Sequence, residues 1–236
     1  NIAYSLTLND LFGTKPILLY YSEYGKNHQI KKYHLNQIRR AFEDKTGVCF
    51  DYSLMLAYLC KSFGIKSKII YGLTKTDIKN YDGEPVLKKH TWNAVFLEEK
   101  WELMDPTWAT GYFDLNRGKF IKEYMEHFFF TQPSDLIKTH FPSDSDWQLI
   151  KDPIDLSAFF SAPLFFPAYF EGQVKLSSET KGILALSEEN ESLLIFDRPL
   201  KRSKIYYRIH GEQQLRKMKF KKENNTYISK IKFRKN

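Results

Sequence analysis

Apolar positions change period several times along the chain, and each change predicts a different element. Residues 48–60 are mostly apolar, with no Gly or Pro before Gly64. That run is long for a strand and predicts a helix buried on nearly all sides, preceded by the turn-forming pair Thr46-Gly47 and ended by Gly64. Upstream, Leu35, Ile38 and Phe42 recur at helical spacing and predict an amphipathic helix over residues 34–42. Residues 20–25 read as an aromatic patch closed by a glycine, and Asn9-Asp10 as the cap of a short helix. Downstream, residues 66–72 predict a strand. Residues 74–87 are polar, contain Asp82-Gly83, and predict an exposed loop. Residues 89–97 alternate apolar and polar, as a half-buried strand does. A polar turn, Glu98-Glu99-Lys100, leads into a second strand over residues 101–108, so the pair predicts a hairpin.

Farther along, Tyr112, Phe113 and Phe120 mark a strand or turn region, and residues 123–130 a helical or extended aromatic stretch. Pro153, Pro163 and Pro167 punctuate an apolar connector. From Gln173 onward, six or so short runs rich in Val, Ile, Leu and Tyr (residues 174–176, 183–186, 193–196, 205–209, 218–220 and 227–233) are separated by Ser/Asn/Glu/Gly turns. Strands of that length with no helical pattern predict a small β-sandwich. The expected organisation is a core over residues 1–164 and a β domain over residues 165–236.

This layout gives several residues a chemical reading. Cys49 falls at the first turn of the buried helix, where unpaired N–H groups and the positive end of the dipole favour a thiolate. Its bland alternative is a small buried hydrophobe. His90 lies near the start of one hairpin strand and Asp105 near the end of the other, and in an antiparallel pair those ends meet. Cys, His and Asp then supply a nucleophile, a general base and an orienting carboxylate. The expected geometry is a Cys49 Sγ within about 4 Å of one His90 ring nitrogen, with the other nitrogen facing Asp105. Trp92 and Trp108 flank the pair, either walling a substrate cleft or packing the core. His28 and His34 read as surface residues. His127 and His140 are candidates for a second base, but each lies in an aromatic, Pro-rich segment that reads as structural wrapping. Asn93 either holds the hairpin or is exposed.

The blocks Gly47-Val48-Cys49, His90-Thr91-Trp92-Asn93-Ala94-Val95 and Trp101-Glu102-Leu103-Met104-Asp105-Pro106-Thr107-Trp108 resemble the transglutaminase-like superfamily. The segment from His127-Phe128-Phe129-Phe130 through His140-Phe141-Pro142 to Asp146-Trp147 resembles its kyphoscoliosis-peptidase-like branch. The resemblance covers roughly residues 30–170. It implies an α+β, papain-like core in which a nucleophile helix packs on an antiparallel sheet. It carries the nucleophile onto Cys49, the base onto His90 and the orienting acid onto Asp105. It also implies peptidase, amidase or glutamine acyl-transfer chemistry on protein or peptide amides, with no cofactor. A non-catalytic interaction scaffold is the other class, its partner bound through the C-terminal β domain. This chain departs from the family pattern at Asp51, where relatives commonly have Gly. A carboxylate there would raise the thiol pKa if it faced the sulfur. The side chain that serves many relatives as oxyanion donor has no match.

Composition adds limits. Of 236 residues, 42% are hydrophobic and 16% aromatic, enough for a substantial core. Two cysteines set no disulfide framework, and eleven residues along one helix place them about 16 Å apart. No Cys/His cluster has metal-ligand spacing, so no metal is expected. The net charge of +8 arises largely in the last forty residues. It reads as a solvated lysine-rich face and not as a nucleic-acid site, because no such motif accompanies it. No transmembrane segment is expected. The first residue is Asn, compatible with a processed or secreted product whose location the sequence leaves open.

Overall fold

The computed structural model describes residues 3–4, 22–79, 84–114, 117–166, 169–170, 175–177, 180–182, 191–196, 206–207, 214, 216–224 and 226–232. The chain divides into two compact units: residues 1–75 with 87–153, and residues 76–86 with 154–236.

The first unit is α+β. A short parallel pair joins β1 (Ala3–Tyr4) to β2 (Thr46–Gly47). Helix α1 (Glu23–Asp44) lies between them and is much longer than the sequence pattern suggested. Ser22 accounts for its early start, since its hydroxyl accepts from the Gly25 N–H at 3.1 Å and caps the first turn. The buried face is also not the expected one. Phe42 is 71% exposed and Leu35 is exposed, whereas Ala41 is buried and His34 packs edge-on against Phe50 and Tyr58. His34 and Ala41 are seven residues apart, so the packed stripe runs beside the Leu35–Phe42 stripe.

Helix α2 (Cys49–Ser62) follows directly and ends where Gly64 takes a left-handed φ of 72°. Cys49, Asp51, Tyr52, Ser53, Leu54 and Cys60 are buried, but Leu59 is exposed. One side of its second half therefore faces solvent, and the helix is less enveloped than its apolar sequence implied.

The main sheet has β3 (Ser67–Lys79), β4 (Glu84–Leu97), β5 (Lys100–Met104) and β8 (His140–Pro142) in the order β5-β4-β3-β8. β4 and β5 form the expected hairpin, with Asn93 opposite Met104 and Leu97 opposite Lys100. Its two-residue turn is made by Glu98 and Glu99, both at positive φ, which matches the twist of the strands. The exposed loop expected over residues 74–87 is instead largely strand, and Thr74 and Lys75 are buried. Their polar side chains hid a pairing that β8 completes, with Thr74 opposite His140. Asp82-Gly83 lies outside the described residues.

A small ribbon, β6 (Gly111–Asp114) with β7 (Lys119–Lys122), follows β5 in sequence. The core of this unit gathers Ile70, Trp92, Ala94, Leu103, Ala109, Met125, Phe128 and Leu136. A second cluster joins Cys60 of α2 to Val95 and Met104. Gly72 has a packing role there. A Cβ at Gly72 would come within 2.2 Å of the Phe141 carbonyl oxygen and 2.6 Å of the Trp92 ring, so only glycine lets β8 close on β3.

In the second unit, the Pro-punctuated stretch contains a short helix, α3 (Leu156–Ser161), where Asp155 caps the N–H of Ala158. The connector reading missed it because the flanking prolines outweighed the cap. β9 (Glu191–Phe196), β12 (Lys221–Glu223) and β13 (Thr226–Lys232) form a three-stranded antiparallel sheet in the order β12-β13-β9. β10 (Tyr206–Tyr207) pairs with β11 (Arg216–Lys217). Phe196, Met218 and Ile231 are its buried core. The run at Met218-Lys219-Phe220 is not a strand but separates two. The expected strand over residues 183–186 lies outside the described residues. Among the described residues, Lys217, Lys219, Lys221, Lys222, Lys230 and Lys232 are exposed. No helix among the described residues is long and apolar enough to cross a membrane.

Candidate active site

Cys49 is the first residue of α2, so its own N–H has no acceptor inside the helix. The helix N-terminus is completed by Asp51, whose Oδ2 accepts from the Val48 N–H at 2.9 Å. Arg40 of α1 sits 3.8 Å from the same oxygen. Asp51 thus caps the helix from its third position, and what sets the protonation of Cys49 is its burial, His90 and Thr91.

The helix is fixed to the hairpin by Asn93. Its Nδ2 donates to the carbonyl of Ser53 at 3.0 Å across forty residues of sequence. Asn93 is fully buried, so of its two readings the structural one is what this contact provides. The Ser53 hydroxyl also meets the Thr91 hydroxyl at 3.3 Å. These contacts bring the first turn of α2 against the strand segment that holds His90.

His90 Nε2 lies 2.6 Å from Asp105 Oδ2, and the Cys49 thiol is near enough to the His90 ring for each to shift the other's protonation. With Nε2 engaged by the carboxylate, Nδ1 is the ring nitrogen left for sulfur. The other Asp105 oxygen accepts from the N–H groups of Thr107, at 2.8 Å, and Trp108, at 3.1 Å. These donors come from the turn just after β5, so the chain reversal itself clamps the carboxylate. Cys49, His90 and Asp105 are therefore brought together and are all buried.

The electrostatics follow from this packing. Burial would push the His90 imidazole down, but the charge and hydrogen bond of Asp105, with Cys49, outweigh it and hold its pKa up to about 10. Burial would likewise raise the Asp105 carboxyl, yet the two histidines beside it keep it well below the usual carboxylate range. For Cys49, burial opposes the thiolate, while hydrogen bonds from His90 and Thr91 and the charge of His90 favour it. The net shift is downward. Cys60, at the other end of α2, is shifted upward by burial.

The two tryptophans differ. Trp92 is 1% exposed and stacks on His90 with ring centroids 6.3 Å apart. Trp108 is half-buried, 5.8 Å from His90. Of the pair, only Trp108 has surface to offer a ligand. Thr91 was not singled out by the sequence, and His140, a candidate second base there, read as structural wrapping. His140 Nε2 lies 3.0 Å from the same Asp105 oxygen that holds His90. The only sequence signal was a polar residue within an aromatic segment, and its partner lies thirty-five positions away. His90, Asp105 and His140 are also the one group, among the described residues, with ligand atoms close enough to hold a metal ion. Both ring Nε2 atoms are at direct hydrogen-bond distance from one carboxylate oxygen, which places protons where an ion would sit.

Residues 9–106 match the transglutaminase-like superfamily, a span that contains Cys49, His90 and Asp105. The chain is 35% identical over 115 residues to kyphoscoliosis peptidase of Mus musculus and of Homo sapiens, covering 47% of this chain and 17% of each relative. It is 28% identical over 131 residues to Lim and transglutaminase domain protein ltd-1 of Caenorhabditis elegans, covering 51% of this chain and 18% of that protein. The chain thus spans less than a fifth of the length of these curated relatives. Residues 9–106 thus resemble the transglutaminase-like superfamily, and the chain is similar to part of kyphoscoliosis peptidase.

Proposed function

We propose that the chain is a cysteine-dependent peptidase or amidase acting on protein or peptide amides through Cys49, His90 and Asp105. The observation that carries this reading is the short contact of His90 Nε2 with Asp105, beside a Cys49 thiol that interacts with the same ring at the N-terminus of a buried helix.

The chemistry runs as follows. The Cys49 proton rests on His90 Nδ1, and Asp105 stabilises the imidazolium. The thiolate attacks the amide carbonyl, and the developing oxyanion is met by the Cys49 N–H at the helix N-terminus. His90 gives its proton to the departing amine, leaving a thioester on Cys49. A water molecule, deprotonated by His90, then hydrolyses the thioester and restores the thiol. Trp108 forms the wall against which the substrate lies. A primary amine in place of water would give acyl transfer by the same steps.

The test compares wild type with Cys49→Ala on a mixture of protein substrates containing a labelled primary amine. New peptide termini with wild type alone are expected. Label incorporation with wild type, without new termini, would make the chain a transferase. Identical readouts from both proteins would overturn the enzymatic reading and leave an interaction scaffold.

A further inference from the structure

The Asp105 carboxylate is shared. Its Oδ2 is contacted by two imidazoles, His90 Nε2 at 2.6 Å and His140 Nε2 at 3.0 Å. His140 lies on β8, outside the span that matches the superfamily, and is 1% exposed. Its ring is enclosed by Trp92 at 5.1 Å, Trp108 at 4.6 Å and Phe128 at 6.1 Å. Its titratable neighbours among the described residues are Asp105 on one side and His90, 5.5 Å away between ring centroids.

Proton placement follows from the distances. A carboxylate oxygen only accepts, so both rings must carry hydrogen on Nε2. In a neutral His140 the other nitrogen, Nδ1, is then an acceptor. Thr139 Oγ1 lies 2.8 Å from that nitrogen and 3.2 Å from the Leu136 carbonyl. A neutral His140 with its hydrogen on Nε2 has none on Nδ1, so the short Thr139–His140 contact takes the hydroxyl hydrogen in place of the Leu136 carbonyl. Burial, aided by the neighbouring His90, keeps His140 from taking a second proton against the pull of Asp105. A fixed relay results: Thr139 donates to His140, and His140 donates to Asp105. Oδ1 is held by two backbone N–H groups, so the carboxylate has a donor on each side and cannot turn.

Resting on the Cys49–His90 reading above, we propose that His140 is a positioning residue. Its neutral Nε2–H fixes the Asp105 carboxylate, which in turn holds His90 in the tautomer that presents Nδ1 to the Cys49 thiol. His140 touches neither the thiol nor a substrate and acts through Asp105. Proline and glycine support its placement: Pro142 continues β8, and Gly72 opposite it admits the close approach of that strand.

The test uses variants that separate the donor from the bulk. Gln places an amide N–H near the position of Nε2, whereas Phe keeps the ring and removes the donor. In His140→Phe, alkylation of Cys49 at pH 6 should slow about tenfold, the order expected for one hydrogen bond to a charged group. His140→Gln should stay within about threefold of wild type on the same scale. Equal rates for wild type and a folded His140→Phe would overturn the proposal. So would equal slowing in the two variants while both remain folded, because that would make His140 a packing residue. Should His140→Phe fail to fold, Thr139→Val against Thr139→Ser decides. The valine variant is expected to slow alkylation and the serine variant to match wild type, and identical rates would overturn the relay.

Nitrogen-15 NMR of the histidines in Cys49→Ala is independent of any thiol chemistry. Neutral Nε2–H His140 between pH 5 and pH 8 is expected, and an Nδ1–H tautomer would overturn the proposal. Failure of the peptidase reading would instead appear as an unreactive wild-type Cys49, with the His140 tautomer unchanged.

Discussion

Asp51 accepts a hydrogen bond from the Val48 N–H at 2.9 Å, closing the first turn of the helix that begins with Cys49. The residue that departs most visibly from the family pattern is therefore a cap. Replacing Asp51 with Ala should cost about 1–2 kcal/mol through loss of that cap. Its ion pair with the half-exposed Arg40 adds little. The pH at which Cys49 becomes reactive should not rise. Thermal unfolding together with a thiol alkylation profile checks both halves. A variant of wild-type stability would show that Asp51 is not the cap.

Cys60→Ala should leave Cys49 chemistry intact. Cys60 packs against Val95 and Met104, and burial holds its thiol above the ordinary range. The variant should lose about 1 kcal/mol for a small cavity. Loss of thiol-dependent activity in a folded Cys60→Ala protein would place the nucleophile at the wrong cysteine.

Gly72→Ala tests how closely the strands must approach. The added methyl would meet a backbone oxygen at 2.2 Å and the Trp92 ring at 2.6 Å, so β8 or Trp92 must move. A destabilisation of about 1–3 kcal/mol is expected from overpacking. Cys49 reactivity should fall with it, because Trp92 contacts both His90 and His140. Unchanged stability by denaturant titration would contradict the close packing.

The pH dependence of stability has a distinct form because His90 is raised to about 10 while Cys49 is lowered. Alone, a raised His90 stabilises fully below its unfolded value of about 6.5 and loses that stabilisation as pH rises through the folded value. A lowered Cys49 acts oppositely. It stabilises above its unfolded value of about 8.5 and loses that stabilisation as pH falls through the folded value. Over the part of the range from about pH 6.5 to 8.5 in which the ion pair is formed, the native pair holds one proton, and so does the unfolded pair. Their slopes cancel. Removing the thiol uncovers the His90 slope, so Cys49→Ala should lose up to about 1.4 kcal/mol per pH unit relative to wild type across that window. Denaturant titrations of both proteins at pH 6.5, 7.5 and 8.5 measure it. Parallel stability curves would contradict a charged Cys49–His90 pair.

How much of this was legible in the sequence depends on the range of each interaction. Helix α2, its stop at Gly64 and the β4–β5 hairpin are local patterns, and apolar spacing with turn residues announced them. The meeting of His90 with Asp105 followed from the hairpin, since a single two-residue turn fixes where its ends lie. Other features depend on contacts that no local pattern carries. The early start of α1 rests on one serine cap inside an aromatic patch. The strand character of residues 74–79 was hidden by polar side chains such as Thr74 and Lys75, which are buried here. His140 reached Asp105 only because β8 pairs with β3, with Thr74 as its partner. Asp51 read only as a charge that could face the sulfur, because its hydrogen bond to the Val48 N–H depends on side-chain geometry that no local pattern carries.

The central claim is that Cys49 is a thiolate paired with His90, and its most direct measurement is alkylation of Cys49 and Cys60 by a neutral reagent across pH 5 to 9. An ordinary thiol with a pKa near 8.5 is less than about 1% ionised at pH 6. The account predicts that Cys49 becomes reactive at a lower pH than an ordinary thiol, that Cys60 becomes reactive only at higher pH, and that His90→Ala moves Cys49 back up. A Cys49 rate that climbs only above pH 8, unchanged by His90→Ala, would contradict it.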